Sequence, residues 1–135
     1  MSILTRDQIL NAVDLSVESV DVPEWGGVVL VRTLTGEQRD AYEASIVRQN
    51  GRNTQFNLVN LRAKLVALCV VDQAGTRLFS DADVKLLAQK SAAALQRVFE
   101  VAQRRNGLRE EDIDELGKAS LNGPNGDSGF DSPEN

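Results

Sequence analysis

Apolar and polar positions change period several times along the chain, and each change marks an element. Thr5 is followed three positions later by Gln8, the pairing in which each side-chain oxygen accepts from the other residue's backbone N–H. Ile9, Leu10 and Val13 then give one apolar face, which predicts a short helix from Arg6 to Val13. Ser16 to Val22 alternates branched with polar residues, the period of a half-exposed strand with its valines inward. Pro23 ends that pattern and Trp25-Gly26-Gly27 supplies turn residues. Val28 to Arg32 follows as a second strand, so the pair reads as a β-hairpin.

From Thr35 onward the period becomes helical. Thr35 and Gln38 repeat the capping pair, and Tyr42 with Ile46 forms a stripe, so a helix is expected from Gly36 to about Gln49, stopped by Asn50-Gly51. Leu58, Leu61, Leu65 and Leu68, widened by Val59, Val66 and Val70, predict a central helix over about Gln55 to Val70. Val71 to Phe79 resembles a turn or small hairpin. Ser80 with Asp83 caps a further helix in which Val84, Ala88, Ser91, Leu95, Val98 and Ala102 recur at alternating spacings of four and three, ending at Arg104-Arg105 and Asn106-Gly107. That stripe, broadened by Leu87 and Phe99, reads either as ordinary core packing or as a short seam for a partner. A last acidic helix is expected from Arg109 to Leu116. The fold class is therefore mainly α with a small N-terminal β-hairpin. Residues 1–118 form one compact helical domain, and 119–135 a disordered polar tail with too few apolar residues to offset the entropy of ordering it.

Composition narrows the chemistry. The 135 residues include no histidine and one cysteine, which excludes histidine-based catalysis, internal disulfides and zinc sites of the usual Cys/His spacing. Cys69 sits in the apolar run from Leu65 to Val71 and reads as a small buried hydrophobe. That run is far too short to span a bilayer, and MSILTRDQIL lacks the layout of a secretory signal, so neither membrane insertion nor export is expected. Gly26-Gly27 and Gly75 have no phosphate-loop context, and the acidic cluster Glu110 to Glu115 has no EF-hand pattern. No enzyme activity, cofactor or metal site is expected.

The net charge of -5 conceals a division of -3 over residues 1–55, +5 over 56–109 and -7 over 110–135. The basic middle is the one nucleic-acid footprint on offer, but its cations recur singly around helix faces without interleaved aromatics. A small nucleic-acid-binding or regulatory protein is the alternative functional class. The basic middle also suits self-association, meeting the acidic end of a second copy. Among apolar residues, Trp25 stands between a rigid proline and two glycines. It caps the core or serves as a contact anchor on a constrained loop.

Read together, VDVPEWGGVVLVRTLTGEQRDAYE from Val20 to Glu43 resembles the N-terminal signature of the tail assembly chaperones of long-tailed, siphovirus-type bacteriophages. The elements that carry it are the turn Pro23, Glu24, Trp25, Gly26 and Gly27, the strand ending at Val31-Arg32, and the cap Leu34-Thr35-Gly36 leading to Arg39, Asp40 and Tyr42. The passage VALCVVDQAGTRLFSDADV and the acidic, polar end extend the resemblance.

The resemblance implies a small non-enzymatic protein of the host bacterial cytoplasm, absent from the mature virion. Its partners would be the tape measure protein, which it keeps soluble, and the tail tube (major tail) protein, which it helps recruit; the homo-oligomer is an expectation from the charge division alone. A longer frameshifted form is a recurrent family property. Pro23, Trp25, Gly26, Gly27, Arg32, Arg39, Asp40 and Tyr42 carry over as structural or interface positions. Leu87, Leu95 and Phe99 are the face expected to shield the tape measure helix.

Overall fold

The computed structural model describes residues 2–50 and 53–108. The expected domain boundary at residue 118, the tail 119–135 and the acidic helix Arg109 to Leu116 lie outside the described residues. The described chain is mainly helical, with a three-stranded antiparallel sheet laid against it.

Helix α1 (Arg6–Asn11) begins as expected: the Gln8 N–H donates to Thr5 Oγ1 at 3.3 Å and the Thr5 N–H to Gln8 Oε1 at 2.9 Å. It ends two residues earlier than expected and buries no side chain. Strands β1 (Val17–Val22) and β2 (Gly27–Arg32) form the expected hairpin, with register from Val17↔Arg32 to Val22↔Gly27. Val20 and Val22 face inward, but Val17 is 48% exposed. The spacing of three between Val17 and Val20 puts them on opposite faces, so Glu18 takes the inward phase at the sheet end.

Helix α2 (Gly36–Ile46) repeats the capping pair at Thr35 and Gln38, with bonds of 3.0 and 3.1 Å, and turns Tyr42 and Ile46 into the core. It stops short of Gln49 because Val47–Asn50 leaves the helix as β3 and pairs antiparallel with β4 (Asn53–Phe56), in register Val47↔Phe56 to Asn50↔Asn53. An Asn-Gly pair between short runs is as good a hairpin signal as a helix stop, and here the hairpin wins. Helix α3 is correspondingly shorter, Leu61–Cys69, and Leu58 and Val59 fall outside it and are exposed. It passes directly into β5 (Val70–Val71), which adds to β2 through Leu30↔Val71 and Val31↔Val70. The expected turn follows, with the Asp72 carboxylate accepting from the Ala74 and Thr76 N–H groups at 2.9 Å each.

The single helix expected from Ser80 to Arg105 is divided. A 3-10 turn (Asp81–Asp83), capped by Ser80 and Asp83, runs into α4 (Val84–Leu87), and α5 (Ala92–Arg105) starts afresh. Ser91 sets the new start: its backbone is non-helical at φ -51°, ψ 129° and its Oγ accepts from the Ala94 N–H at 3.2 Å, so it is an N-cap and not a stripe residue. The alternating stripe is thus two short faces and no continuous seam. α5 buries Ala94, Leu95, Val98, Phe99 and Ala102 against α3 and the sheet, and the two alanines allow close approach. Leu95, Val98 and Phe99 each contribute about 1.5–3 kcal/mol by leaving water.

The helix ends where Arg104 and Arg105 meet the negative pole of its dipole. Gly107, at φ +65°, donates to the Arg104 carbonyl at 3.2 Å, and Leu108 donates to the Gln103 carbonyl at 2.8 Å. This is the Schellman arrangement, and it turns Leu108 back into the core.

Candidate protein interface

The signature residues separate into two groups. One group ties the core together around Asn106. The Asn106 Oδ1 accepts from the Leu34 N–H at 2.7 Å, its Nδ2 donates to the Ala102 carbonyl at 2.8 Å and lies 3.8 Å from Cys69 Sγ, and its carbonyl accepts from Arg39 Nη1 at 3.1 Å. Arg39 also pairs with Glu43 at 3.5 Å. Arg32 Nη1 donates to the Gly75 carbonyl at 2.7 Å, which pins the β5 turn to β2. Tyr42 is buried beside these groups, and burial pushes its phenol well above the ordinary range. Burial likewise pushes the Cys69 thiol up, to about 12, so it stays protonated at neutral pH and is inert. Asp40 lies exposed on α2.

The other group is the turn between β1 and β2. Pro23 starts a 3-10 turn (Pro23–Trp25), and Gly26 closes it at φ +79°, donating to the Pro23 carbonyl at 3.0 Å. No atom lies within 4 Å of where a Cβ of Gly26 would be, so backbone conformation and not space calls for glycine. Gly27 begins β2. Glu24 pairs with Arg97 of α5, whose hydrogen bond holds the carboxyl below the usual glutamate range. The turn is thereby fastened to the helix, and Trp25 is set into one wall of an open groove of about 600 Å³.

Leu78, Phe79, Leu86 and Leu87 are its other apolar lining residues, and Glu24, Asp83 and Lys90 its charged ones. Leu78 and Leu86 are 53% and 71% exposed, while Trp25 and Phe79 are partly buried against the core. The Trp25 Nε1–H is shielded from solvent without a hydrogen-bond partner. Leu78 and Leu86 escaped the sequence reading because both fall off the apolar stripes. A leucine on the otherwise polar side of a predicted helix is the signal that would have found Leu86.

The face expected to receive a partner is occupied within the molecule. Leu87, Leu95 and Phe99 are 4%, 6% and 5% exposed, and all three belong to the core. Of these, Leu87 alone also reaches the groove. The described arginines of the basic middle, Arg62, Arg77, Arg97, Arg104 and Arg105, are engaged as well. Arg104 and Arg105 pair with Glu18 at 2.8 and 3.7 Å, Arg77 with Asp81 at 3.1 Å, Arg97 with Glu24, and Arg62 lies 5.7 Å from the centre of the Phe99 ring. Glu18 and Glu24 at the N-terminal end thus neutralise cations that the charge division had offered to an acidic tail or a polyanion. Among the described residues, no group of His, Cys, Asp and Glu is placed to hold a metal ion, and no helix is long and apolar enough to cross a membrane.

Comparison with solved structures finds the same fold in the bacteriophage HK97 tail assembly chaperone, at 17% identity and a TM-score of 0.51, covering 73% of this chain and 94% of that one. No match was found among curated proteins. The family model described as phage tail assembly chaperone matches residues 6–118, from the first residue of α1 through the hairpin, the Trp25 turn and all of α5. With that match over most of its length, the chain belongs to the phage tail assembly chaperones, a family of non-enzymatic assembly proteins.

Proposed function

We propose that the chain binds the tape measure protein of its phage through the Trp25 groove and keeps that long helical protein soluble until the tube encloses it. The observation that supports this is the groove itself: an aromatic on a turn fastened by the Glu24–Arg97 pair, with the exposed Leu78 and Leu86 lining the same groove. Such a surface suits one apolar face of an amphipathic helix, read by anchors at spacings of three and four. Recruitment of tail tube subunits then occurs on the complex. The protein acts in the host cytoplasm and leaves before the virion is complete.

Co-expression with the tape measure protein tests the reading. Leu86→Glu and Leu78→Glu should each reduce the soluble, co-purifying tape measure protein by about tenfold, in line with losing a central apolar anchor. Both side chains are exposed, so the fold should survive, as circular dichroism will show. Undiminished recovery with both variants defeats the groove as the site. Tail tube protein should be captured by the complex and not by either component alone, and mass spectrometry of purified virions should find none of the chain.

A further inference from the structure

Lys64 and Lys85 differ from the arginines of the basic middle: among the described residues neither forms an ion pair, and both line one groove. This second groove, of about 420 Å³, lies between α2 and α3 beside the start of α4. Tyr42, Leu68 and Val84 make its lining largely apolar. The Lys64 Nζ donates to the Ser45 carbonyl of α2 at 3.4 Å, which holds its ammonium at the groove between the two helices. Asp81, the carboxylate in the lining, is already paired with Arg77 at 3.1 Å. Apolar side chains beneath two unpaired cations suit an occupant that carries apolar anchors among carboxylates.

We propose that residues Glu110 to Leu116 of the same chain dock in this groove. Five of these seven residues are acidic, and the other two are Ile113 and Leu116, three apart, the spacing that puts two side chains on one face of a helical turn. The chain is delivered to the right place. Leu108, the last described residue, is buried, and Asn106 just before it accepts from Arg39 of α2 through its carbonyl and lies beside Cys69 of α3 through its amide. Tyr42 is one turn beyond Arg39 and Leu68 is next to Cys69, so both walls of the groove begin within about 5 Å, along their helices, of the residues that Asn106 touches. Ile113 is five residues past Leu108, a reach of up to about 17 Å. Other openings suit the segment less. The Trp25 groove lies toward the far end of α5, where Arg97 meets Glu24, and its lining carboxylates Glu24 and Asp83 repel an acidic occupant. In the polar hollow beside Asn106, Arg39 and Arg105 are already paired with Glu43 and Glu18, and Asp14 adds a negative charge. A tether this short gives a local concentration in the millimolar range, so a weak contact is enough to keep the groove filled. Ile113 and Leu116 then cover Tyr42, Leu68 and Val84 while the carboxylates meet Lys64 and Lys85, and a partner for this face has to displace them.

Zero-length cross-linking of the full chain is the test. A carbodiimide joins a lysine amine to a carboxylate that it touches, and peptide mass spectrometry locates the link. Lys64 and Lys85 should link to the acids between Glu110 and Glu115, and Lys90, which lines the Trp25 groove, about tenfold less. Ile113→Ser with Leu116→Ser keeps every charge and should lower the Lys64 and Lys85 links about tenfold, as expected when two apolar anchors are lost. Lys85→Gln should reduce the Lys64 links about threefold at low salt and less at high salt. Lys85 is exposed, so this variant keeps the fold and reads the docking even if the double serine variant does not fold. An equal mixture of isotope-labelled and unlabelled protein should give links within one isotope only. Links that join labelled to unlabelled peptides would seat the segment on a second copy and overturn the proposal. So would Lys64 and Lys85 links no more abundant than those of Lys90, or a folded serine variant that links as well as the native chain.

Discussion

Helices α1 and α2 start with the same device and meet opposite fates. Each is opened by a threonine and a glutamine three residues on, and the reciprocal bonds have nearly equal lengths, 3.3 and 2.9 Å in α1 against 3.1 and 3.0 Å in α2. Yet α2 buries Tyr42 and Ile46, and α1 buries nothing. A capping box therefore decides where a helix starts and says nothing about whether the body receives it. In α2 the local signal and the packing agree. In α1 the local signal acts alone, and its apolar face stays exposed.

The difference can be tested by urea unfolding. Ile46→Ala, at a residue 1% exposed, should cost about 2–5 kcal/mol through the transfer and cavity terms. Asn106→Ala should cost about 2 kcal/mol, because it leaves the Leu34 N–H without an acceptor in a part-buried setting. Thr35→Ala should cost about 1 kcal/mol as a lost cap on a packed helix. Thr5→Ala removes the identical cap from α1 and should change global stability by less than about 0.5 kcal/mol. Equal losses from the two threonines would mean that α1 packs on the body and the contrast between the helices is void. Smallest of all is the Glu24–Arg97 pair. Because the pair lowers the Glu24 carboxyl, its stabilisation is present above the ordinary glutamate range and is lost as pH falls through the depressed value. The stability difference between native and Glu24→Gln should therefore disappear in acid, and shrink with added salt because the pair is exposed.

Much of this fold was legible wherever a side chain acts on its own neighbours. Thr5/Gln8, Thr35/Gln38 and Ser80/Asp83 all cap as read, and the Asn106-Gly107 stop is a Schellman end. The hairpin and its glycine turn followed from alternation and Pro23. The errors lie where one residue serves two patterns. Ser91 fits an apolar stripe by spacing and an N-cap by chemistry, and the cap prevails. Asn50 fits a helix stop and a hairpin turn alike. The partner surface was only half legible: Trp25 was singled out, but Leu78 and Leu86 become its neighbours only when the β5 turn and α4 fold back beside the hairpin. Leu87, Leu95 and Phe99 have the spacing of an exposed face and the burial of a core, and spacing does not distinguish the two.

Trp25 is the only tryptophan in the chain, and it lines the groove proposed for the tape measure protein. Its emission is therefore an intrinsic optical gauge of that one place. Covering the exposed edge of the indole with leucine and isoleucine side chains shifts its fluorescence to the blue, and excitation near the red edge of the band avoids the single tyrosine. An unlabelled native protein can thus be titrated with a tape measure segment and the occupancy read in real time.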